Sequence, residues 1–192
     1  KPIVDIETGI MGRSLAIDND AGTLLIGTEE GSVLSRSLYD SSTMPNEKGP
    51  TSSQNAGIYA LAVDDYGTIW GAGNCTIHFK PVGEAVWNEY DYCPTQNIET
   101  PSDIMIIGDS VYLATTNAGV HILNYITSSS SGSVSVSVDS QTDWSTQNFL
   151  SSDQITDLEV VGNHLLIATS DSGINRRDLT AQSWIATWST NN

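Results

Sequence analysis

Leu15-Ala16-Ile17-Asp18-Asn19-Asp20-Ala21-Gly22-Thr23-Leu24-Leu25-Ile26-Gly27-Thr28-Glu29-Glu30-Gly31 is the stretch on which the fold turns. A short apolar run meets an Asp/Asn/Gly turn, and a second apolar run ends in small residues before another turn. Asp, Asn and Gly favour such turns, the first two through side-chain bonds to nearby amides and Gly through its freedom at positive φ. Two short apolar runs joined by such a turn read as a β-hairpin.

The same phrase recurs three times downstream. Leu61-Ala62-Val63 leads through Asp64-Asp65-Tyr66-Gly67 into Thr68-Ile69-Trp70-Gly71-Ala72-Gly73. Ile104-Met105-Ile106-Ile107 leads through Gly108-Asp109 into Val111-Tyr112-Leu113-Ala114-Thr115, and Leu158 to Val161 leads through Gly162-Asn163 into Leu165 to Thr169. Residues 28, 73, 115 and 169 are thus equivalent, a period of roughly 40–55 residues. Each copy continues with a turn and a third apolar stretch (33–38, 77–79, 120–125, 174–178). Three copies add a Trp-bearing fourth segment around Trp87, Trp144 and Trp184–Trp188, where Trp is expected to cover the blade edge. No comparable stretch carries the 3.6-residue period of a helix.

Four short antiparallel strands per unit, repeated in phase, describe an all-β chain of β-propeller blades. A sandwich would not explain the phase. The expected blades are 13–58, 59–102, 103–154 and 155–192, with a first strand in each that is innermost and buried on both faces. Trp188-Ser189-Thr190-Asn191-Asn192 echoes Trp144-Ser145-Thr146-Gln147-Asn148, the phrase that leads into the fourth unit. The sequence therefore reads as part of a larger propeller whose remaining blades belong to a longer chain; the start at Lys1, without Met or a signal-peptide pattern, points the same way. The rival is a closed four-bladed ring in which residues 1–12 pair against the last blade.

The Gly-Thr-Leu-Leu-Ile-Gly-Thr-Glu-Glu-Gly phrase at 22–31 resembles the propeller repeats in sensor regions of hybrid two-component regulators, which carry a similar Gly-x-Leu-Trp-Ile-Gly-Thr-x-x-Gly-Gly core. Gly67-Thr68-Ile69-Trp70 and Ala168 to Ile174 look like further copies, and Trp144 to Ile155 resembles the family's inter-blade phrase. The resemblance implies a fold rather than a reaction, for related propellers occur in sensors, adhesins, surface proteins and some glycan-active enzymes. The second unit departs from it, with Gly71-Ala72-Gly73 in place of Ile-Gly-Thr. The chain carries no kinase or receiver segment.

Composition narrows the function classes. Of 192 residues, 23 are acidic and 7 basic, for a net charge of −16. Such a chain could hardly assemble the basic patch that nucleic acid demands. No apolar run approaches the roughly 18–20 residues of a membrane-spanning helix, so direct membrane insertion is not expected. An acidic surface, only two cysteines and the sequon Asn74-Cys75-Thr76 lean toward an extracellular or cell-surface setting. Cys75 and Cys93 fall at one end of adjacent strands and are expected to form a disulfide.

Long loops converging on one rim are where a propeller usually binds, which nominates Glu29, Glu30, Asn74, Tyr92, Asn117, Asp153 and Asp171 as rim residues for a protein or glycan. Asp18, Asp20, Asp64 and Asp65 offer oxygen donors of the kind Ca²⁺ takes, though without an EF-hand spacing or a distal bidentate Glu; turn formation is the favoured explanation. His78, His121 and His164 fall in separate units and lack zinc-type spacing, although His78 and His121 occupy matching places in a third strand. Ser128-Ser129-Ser130-Ser131-Gly132 reads as a flexible loop before the alternating strand Val134–Val138, an edge open to pairing with another chain. No catalytic residue is nominated. The leading expectation is a non-catalytic extracellular binding module without a cofactor, calcium aside. Its alternatives are a fragment of a glycan hydrolase or lyase with carboxylates from several blades, and the ectodomain of a signalling sensor.

Overall fold

In the computed structural model, which describes residues 11–39, 57–93, 99–130 and 133–189, the repeats become separate antiparallel sheets, with no helix among these residues. Blade one holds β1 (Gly12–Asp18), β2 (Thr23–Thr28) and β3 (Val33–Ser37). Blade two holds β4 (Ala60–Val63), β5 (Ile69–Ala72), β6 (Thr76–Lys80) and β7 (Asn88–Asp91). Blade three holds β8 (Pro101–Ile107), β9 (Ser110–Thr115), β10 (Val120–Ser130) and β11 (Ser133–Trp144). Blade four holds β12 (Ile155–Val161), β13 (His164–Thr169), β14 (Ile174–Asp178) and β15 (Ser183–Trp188). In each blade consecutive strands are neighbours, so every sheet is an up-and-down meander. These meanders are β-propeller blades.

The chain divides into two compact units, one comprising 1–94 with 128–136 and the other 95–127 with 137–192. In the first, blades one and two stack through Leu25, Val33, Ile58 and Leu61, flanked by Ala16, Val63, Ile69 and Trp87. In the second, blades three and four stack through Ala114, Val120, Ile122, Leu158, Leu165 and Ile167, closed at the edge by Trp144 and Leu150. Each seam is apolar with small residues between, which lets one sheet lie closely on the next.

Register explains which residues meet. Directly opposed residues of an antiparallel pair share a face. Ala16 opposite Leu25 therefore faces blade two, while Leu15 opposite Ile26 faces away. Of the inner strands, β1 and β12 carry several exposed residues and so are not buried on both faces as expected, whereas β4 and β8 carry none. Each inner strand except β4 also shifts register near its start, between Gly12 and Ser14, Pro101 and Asp103, and Ile155 and Asp157. The serine-rich stretch is also different from the expected loop: Ser128–Ser130 continue β10, and β11 runs on from Ser133, with the Ser128 and Ser135 hydroxyls 2.7 Å apart. Alternating Ser and Val suit extended backbone, so the two strands prolong each other rather than breaking.

Candidate functional site

The turns between second and third strands hold most of the nominated rim residues, and each is braced from beneath. In blade four the Thr169 hydroxyl donates to the Gly173 carbonyl at 2.8 Å and accepts from the Ser172 amide at 3.0 Å. Thr115 does the same in blade three, donating to Gly119 at 3.0 Å and accepting from Ala118 at 2.9 Å. In blade one the Ser32 amide donates to the Thr28 hydroxyl at 3.0 Å. Gly119 and Gly173 adopt φ of 85° and 84°, and a Cβ on either would collide with the Trp144 or Trp188 carbonyl oxygen. Glycine is therefore required here on two counts. These braces lift Glu29, Glu30, Asn117 and Asp171 into solvent, with Glu29 paired to Arg13 at 2.8 Å.

Blade two lacks that threonine, Gly73 standing in its place, and solves the problem differently. The Tyr92 hydroxyl donates to the Gly73 carbonyl at 2.9 Å and accepts from the Cys75 amide at 3.0 Å. Like a threonine hydroxyl it donates to one turn carbonyl and accepts from one turn amide, but it comes from just beyond β7 and its acceptor is the carbonyl that opens the turn rather than the one that closes it. Cys75 takes a φ of 62°, the conformation that glycine supplies in the other turns, and is held there by its disulfide to Cys93 across a Cα–Cα distance of 5.0 Å. The disulfide expected from position is thus present. Tyr92 is not a rim contact: at 1% exposure it is a buried strut under the turn. Asn74 is half-buried, and its side-chain oxygen lies inside the protein without a hydrogen-bond partner among the described residues.

The loop entering blade four is similarly self-contained. Asp153 accepts from the Thr146 amide at 2.6 Å and hydroxyl at 2.8 Å, while its carbonyl receives the Gly119 amide at 2.9 Å. Its carboxylate is spent on shaping the 145–153 loop. Of the long loops expected at the rim, 39–58 and 91–102, residues 40–56 and 94–98 lie outside the described residues.

Beneath the blade-three turn lies a cluster that spacing alone did not reveal. His121 is buried, with Nδ1 2.6 Å from Asp143 and Nε2 2.6 Å from Glu99. One imidazole is thus clamped between two carboxyls, one on each ring nitrogen. Gln141 donates to the same Asp143 oxygen at 2.8 Å. Both ring nitrogens are engaged within the protein. The cluster ties the blade entrance at Glu99 to the outer strand at Asp143. The only advance signal was the matched position of His78 and His121. Register confirms the match, Gly71 facing His78 and Leu113 facing His121, and adds Asn175 opposite Ile167 in blade four. His78 lacks such partners: burial pushes its imidazole down to about 4, against a smaller opposing pull from Asp91, and Nδ1 has no hydrogen bond. His164 receives Arg176 at 2.8 Å.

Asp18 and Asp64, offered as calcium donors, close turns. Asp18 accepts from the Ala21 amide at 2.9 Å. Asp64 accepts from the Tyr66 and Thr68 amides at 3.0 and 2.8 Å with one oxygen and from the Trp70 indole at 3.1 Å with the other. Asp20 and Asp65 are exposed, and among the described residues no three His, Cys, Asp or Glu side chains converge to hold a metal ion. The half-buried Asp103 carboxyl accepts from the Leu158 and Ile104 amides at 2.9 and 2.8 Å. Burial first, and then repulsion from Asp157, push it above the usual carboxylate range against the pull of those two amides.

Comparison with known proteins agrees on the fold and goes no further. No family model matches the chain. No curated protein matches it either. Among solved structures, it is similar to the extracellular domain of the one-component system BT4673 from B. thetaiotaomicron, with a TM-score of 0.65 at 15% identity over 97% of this chain and 23% of that one. The WD40 β-propeller domain of Doa1 gives 0.62 at 12% identity, over 92% of this chain and 54% of its own. BamB from Moraxella catarrhalis gives 0.60 at 11% identity, over 92% and 49%. The chain thus spans about half the length of the last two and a quarter of the first, and what it shares with them is the β-propeller fold.

Proposed function

We propose that this chain is a non-catalytic interaction module that engages a protein through the strand-two to strand-three turns of the blades within one of its two compact units, in an extracellular setting. One observation carries the reading. The buried carboxyls among the described residues, Asp64 and Glu99, and the half-buried Asp103 are engaged by amides, an indole or an imidazole, whereas Glu29, Glu30, Asn117 and Asp171 stand exposed on braced turns. Catalysis would need a carboxyl pair open to substrate. Recognition needs variable side chains on a fixed frame. The acidic character of three of these four residues favours a partner with a basic patch. The Cys75–Cys93 disulfide supports an oxidising compartment.

The experiment compares the wild type with the variants Glu29→Lys/Glu30→Lys, in one unit, and Asn117→Lys/Asp171→Lys, in the other, in quantitative affinity purification, followed by titration of the recovered partner with each protein. Partner binding by the wild type and at least a tenfold weaker affinity for one of the two variants are expected, with no release of reducing sugar from a glycoside panel. Equal binding by all three, or glycoside turnover, would overturn the reading. A sensor ectodomain is the second reading, favoured by the similarity to the BT4673 extracellular domain over 97% of this chain. A membrane-spanning segment encoded after the propeller, with a signalling domain beyond it, distinguishes that case.

A further inference from the structure

Blades two and four leave polar atoms unmatched at the same two places. His78 of blade two and Asn175 of blade four share one position of the third strand, opposite Gly71 and Ile167. Both are more than nine-tenths buried, at 6% and 2% exposure. The second place belongs to a tryptophan of the fourth segment. On β15, Trp184 stands opposite Arg177. Trp87, one residue before β7, continues the register that sets Asn88 opposite Phe79, and so stands opposite Lys80. In each blade the tryptophan is therefore the diagonal neighbour of the polar residue on one face of the sheet.

That face belongs to the seam inside each unit. Leu61, in the row of His78, and Trp87 pack with Leu25 and Val33 of blade one. Leu158 and Ile167, in the row of Asn175, and Trp184 pack with Val120 and Ile122 of blade three. His78 Nδ1 and Trp87 Nε1 in one seam, and Asn175 Nδ2 and Trp184 Nε1 in the other, are buried without a hydrogen-bond partner among the described residues. Asn175 Oδ1 accepts from the Ser151 amide at 3.1 Å, which identifies Nδ2 as the unmatched end of that amide. A buried polar group left unmatched is destabilising, and two pairs of them at one repeated position are not scattered defects of packing. The other blades leave nothing to match at the third-strand position. Leu34 is apolar, and His121 has Asp143 and Glu99 on its two nitrogens at 2.6 Å each.

The chemistry of the four atoms selects the occupant. An indole N–H and an amide N–H both donate, so blade four wants an acceptor, while the imidazole Nδ1 of blade two accepts or donates according to its tautomer. Arg177 in blade four would suit an anion, its guanidinium lying 5.3 Å from the Trp184 ring centroid. Glu89 in blade two would repel one. Its carboxylate oxygen is 4.0 Å from His78 Nδ1, too far for a direct bond and close enough for both to contact one small atom. A neutral molecule that accepts from two donors and can itself donate satisfies both blades, and water is the smallest that does.

We propose that one buried water bridges His78 Nδ1 and Trp87 Nε1 in blade two, with Glu89 as its third partner, and that another bridges Asn175 Nδ2 and Trp184 Nε1 in blade four. These waters belong to the repeat itself. They do for blades two and four what two carboxyls do for His121 in blade three. The inference concerns the interior of each unit and stands or falls independently of any partner at the exposed turns.

Rotating-frame cross-relaxation between water and the indole N–H protons of the 192-residue chain tests it in solution. Trp87→Phe and Trp184→Phe assign the two indole signals. Each signal is expected to show a cross peak to water with the sign of direct dipolar contact, which proton exchange with solvent does not produce. His78→Leu, which gives blade two the residue type of blade one, should abolish the Trp87 cross peak and leave that of Trp184, with near-UV dichroism unchanged. Asn175→Leu should do the reverse. In a crystal structure a water oxygen should lie within about 3.2 Å of both nitrogens at each seam. Dipolar contact with water at neither indole, or at only one, overturns the proposal. So does a Trp87 contact that survives His78→Leu, or a crystal structure with a halide or a protein atom in either place.

Discussion

Replacing Tyr92 by Phe removes one oxygen atom and keeps the ring that fills the space beneath the blade-two turn. Two backbone groups then lose their partner, the Cys75 amide, 3.0 Å from the hydroxyl, and the Gly73 carbonyl, 2.9 Å from it. Each buried polar group left unmatched costs about 1–3 kcal/mol, and the turn lies close enough to solvent for water to recover part of that. A loss of about 2 kcal/mol is therefore expected, which for a chain of this size lowers Tm by roughly 4–8 °C. The disulfide does not substitute for the hydroxyl, because it restrains the chain without supplying a donor or an acceptor. Urea titration with intact disulfide measures the loss, and amide exchange at Cys75 locates it: about 2 kcal/mol corresponds to roughly 30-fold faster exchange if the opening is local. Tyr66→Phe, at a half-exposed ring, should stay within about 0.5 kcal/mol of wild type. A Tyr92→Phe protein within that same margin, with Cys75 exchange unchanged, would refute the equivalence of this hydroxyl to the threonine hydroxyls of the other blades.

Three further outcomes follow from the buried charges. Burial holds His78 at about 4, below its ordinary 6.5, so the folded state prefers the neutral ring. Its contribution is complete above pH 6.5 and lost as pH falls toward 4, about 3 kcal/mol over that window. His78→Asn, the residue type that blade four uses at the matching place, should flatten the acid limb of stability measured by urea titration between pH 7 and 4. Asp103 has the opposite sign: its carboxyl is held above the usual range, so the favourable contribution is complete below the ordinary value of 3.8 and lost as pH rises through the raised one. Asp157→Asn removes the repulsion and should raise Tm at pH 7 while leaving it unchanged at pH 3. His121→Leu leaves the Glu99 carboxylate buried without its imidazole and should cost about 3–5 kcal/mol in chemical denaturation, of which the added substitution Glu99→Gln should restore a large part.

The repeat was legible because its grammar is local. Asp/Gly turns and small residues closing a second strand answer to backbone geometry and close sheet stacking, which act over a few residues. The disulfide was legible for a related reason, since Cys75 and Cys93 had only to be placed at one end of neighbouring strands. Tyr92 was misread because an aromatic in a rim segment has the same sequence signature whether it faces water or supports the turn from inside. His121 belongs with Glu99 and Asp143, each 22 residues away, and only the pairing of strands brings them together. The exposure of Leu15 and Ile17 was illegible for a deeper reason: an apolar inner strand records that a neighbour is wanted, not where that neighbour comes from.

The two ends of these sheets vary in different ways. Between the first and second strands the hairpins differ in length, four and five residues in blades one and two but two residues in blades three and four, while Gly22, Gly67, Gly108 and Gly162 all adopt positive φ. At the strand-two to strand-three end the brace is a threonine hydroxyl in three blades and a tyrosine hydroxyl from just beyond β7 in blade two. Below it, one structural position is filled by Leu34, His78, His121 and Asn175 in turn. A buried leucine, a neutral imidazole, an imidazole between carboxyls and an amide differ widely in hydrogen-bonding demand, and the fold accommodates all four without altering strand register. A position that serves only to hold a blade together would settle on the apolar solution, which requires no partner at all. Polar groups here must instead be matched to their own turn, and matching fixes each turn in its own shape. Within each unit the turns carry different side chains, Glu29 and Glu30 against Asn74 in one and Asn117 against Asp171 in the other, and those differences are the pattern each unit presents. Recognition of one partner over another requires such a pattern.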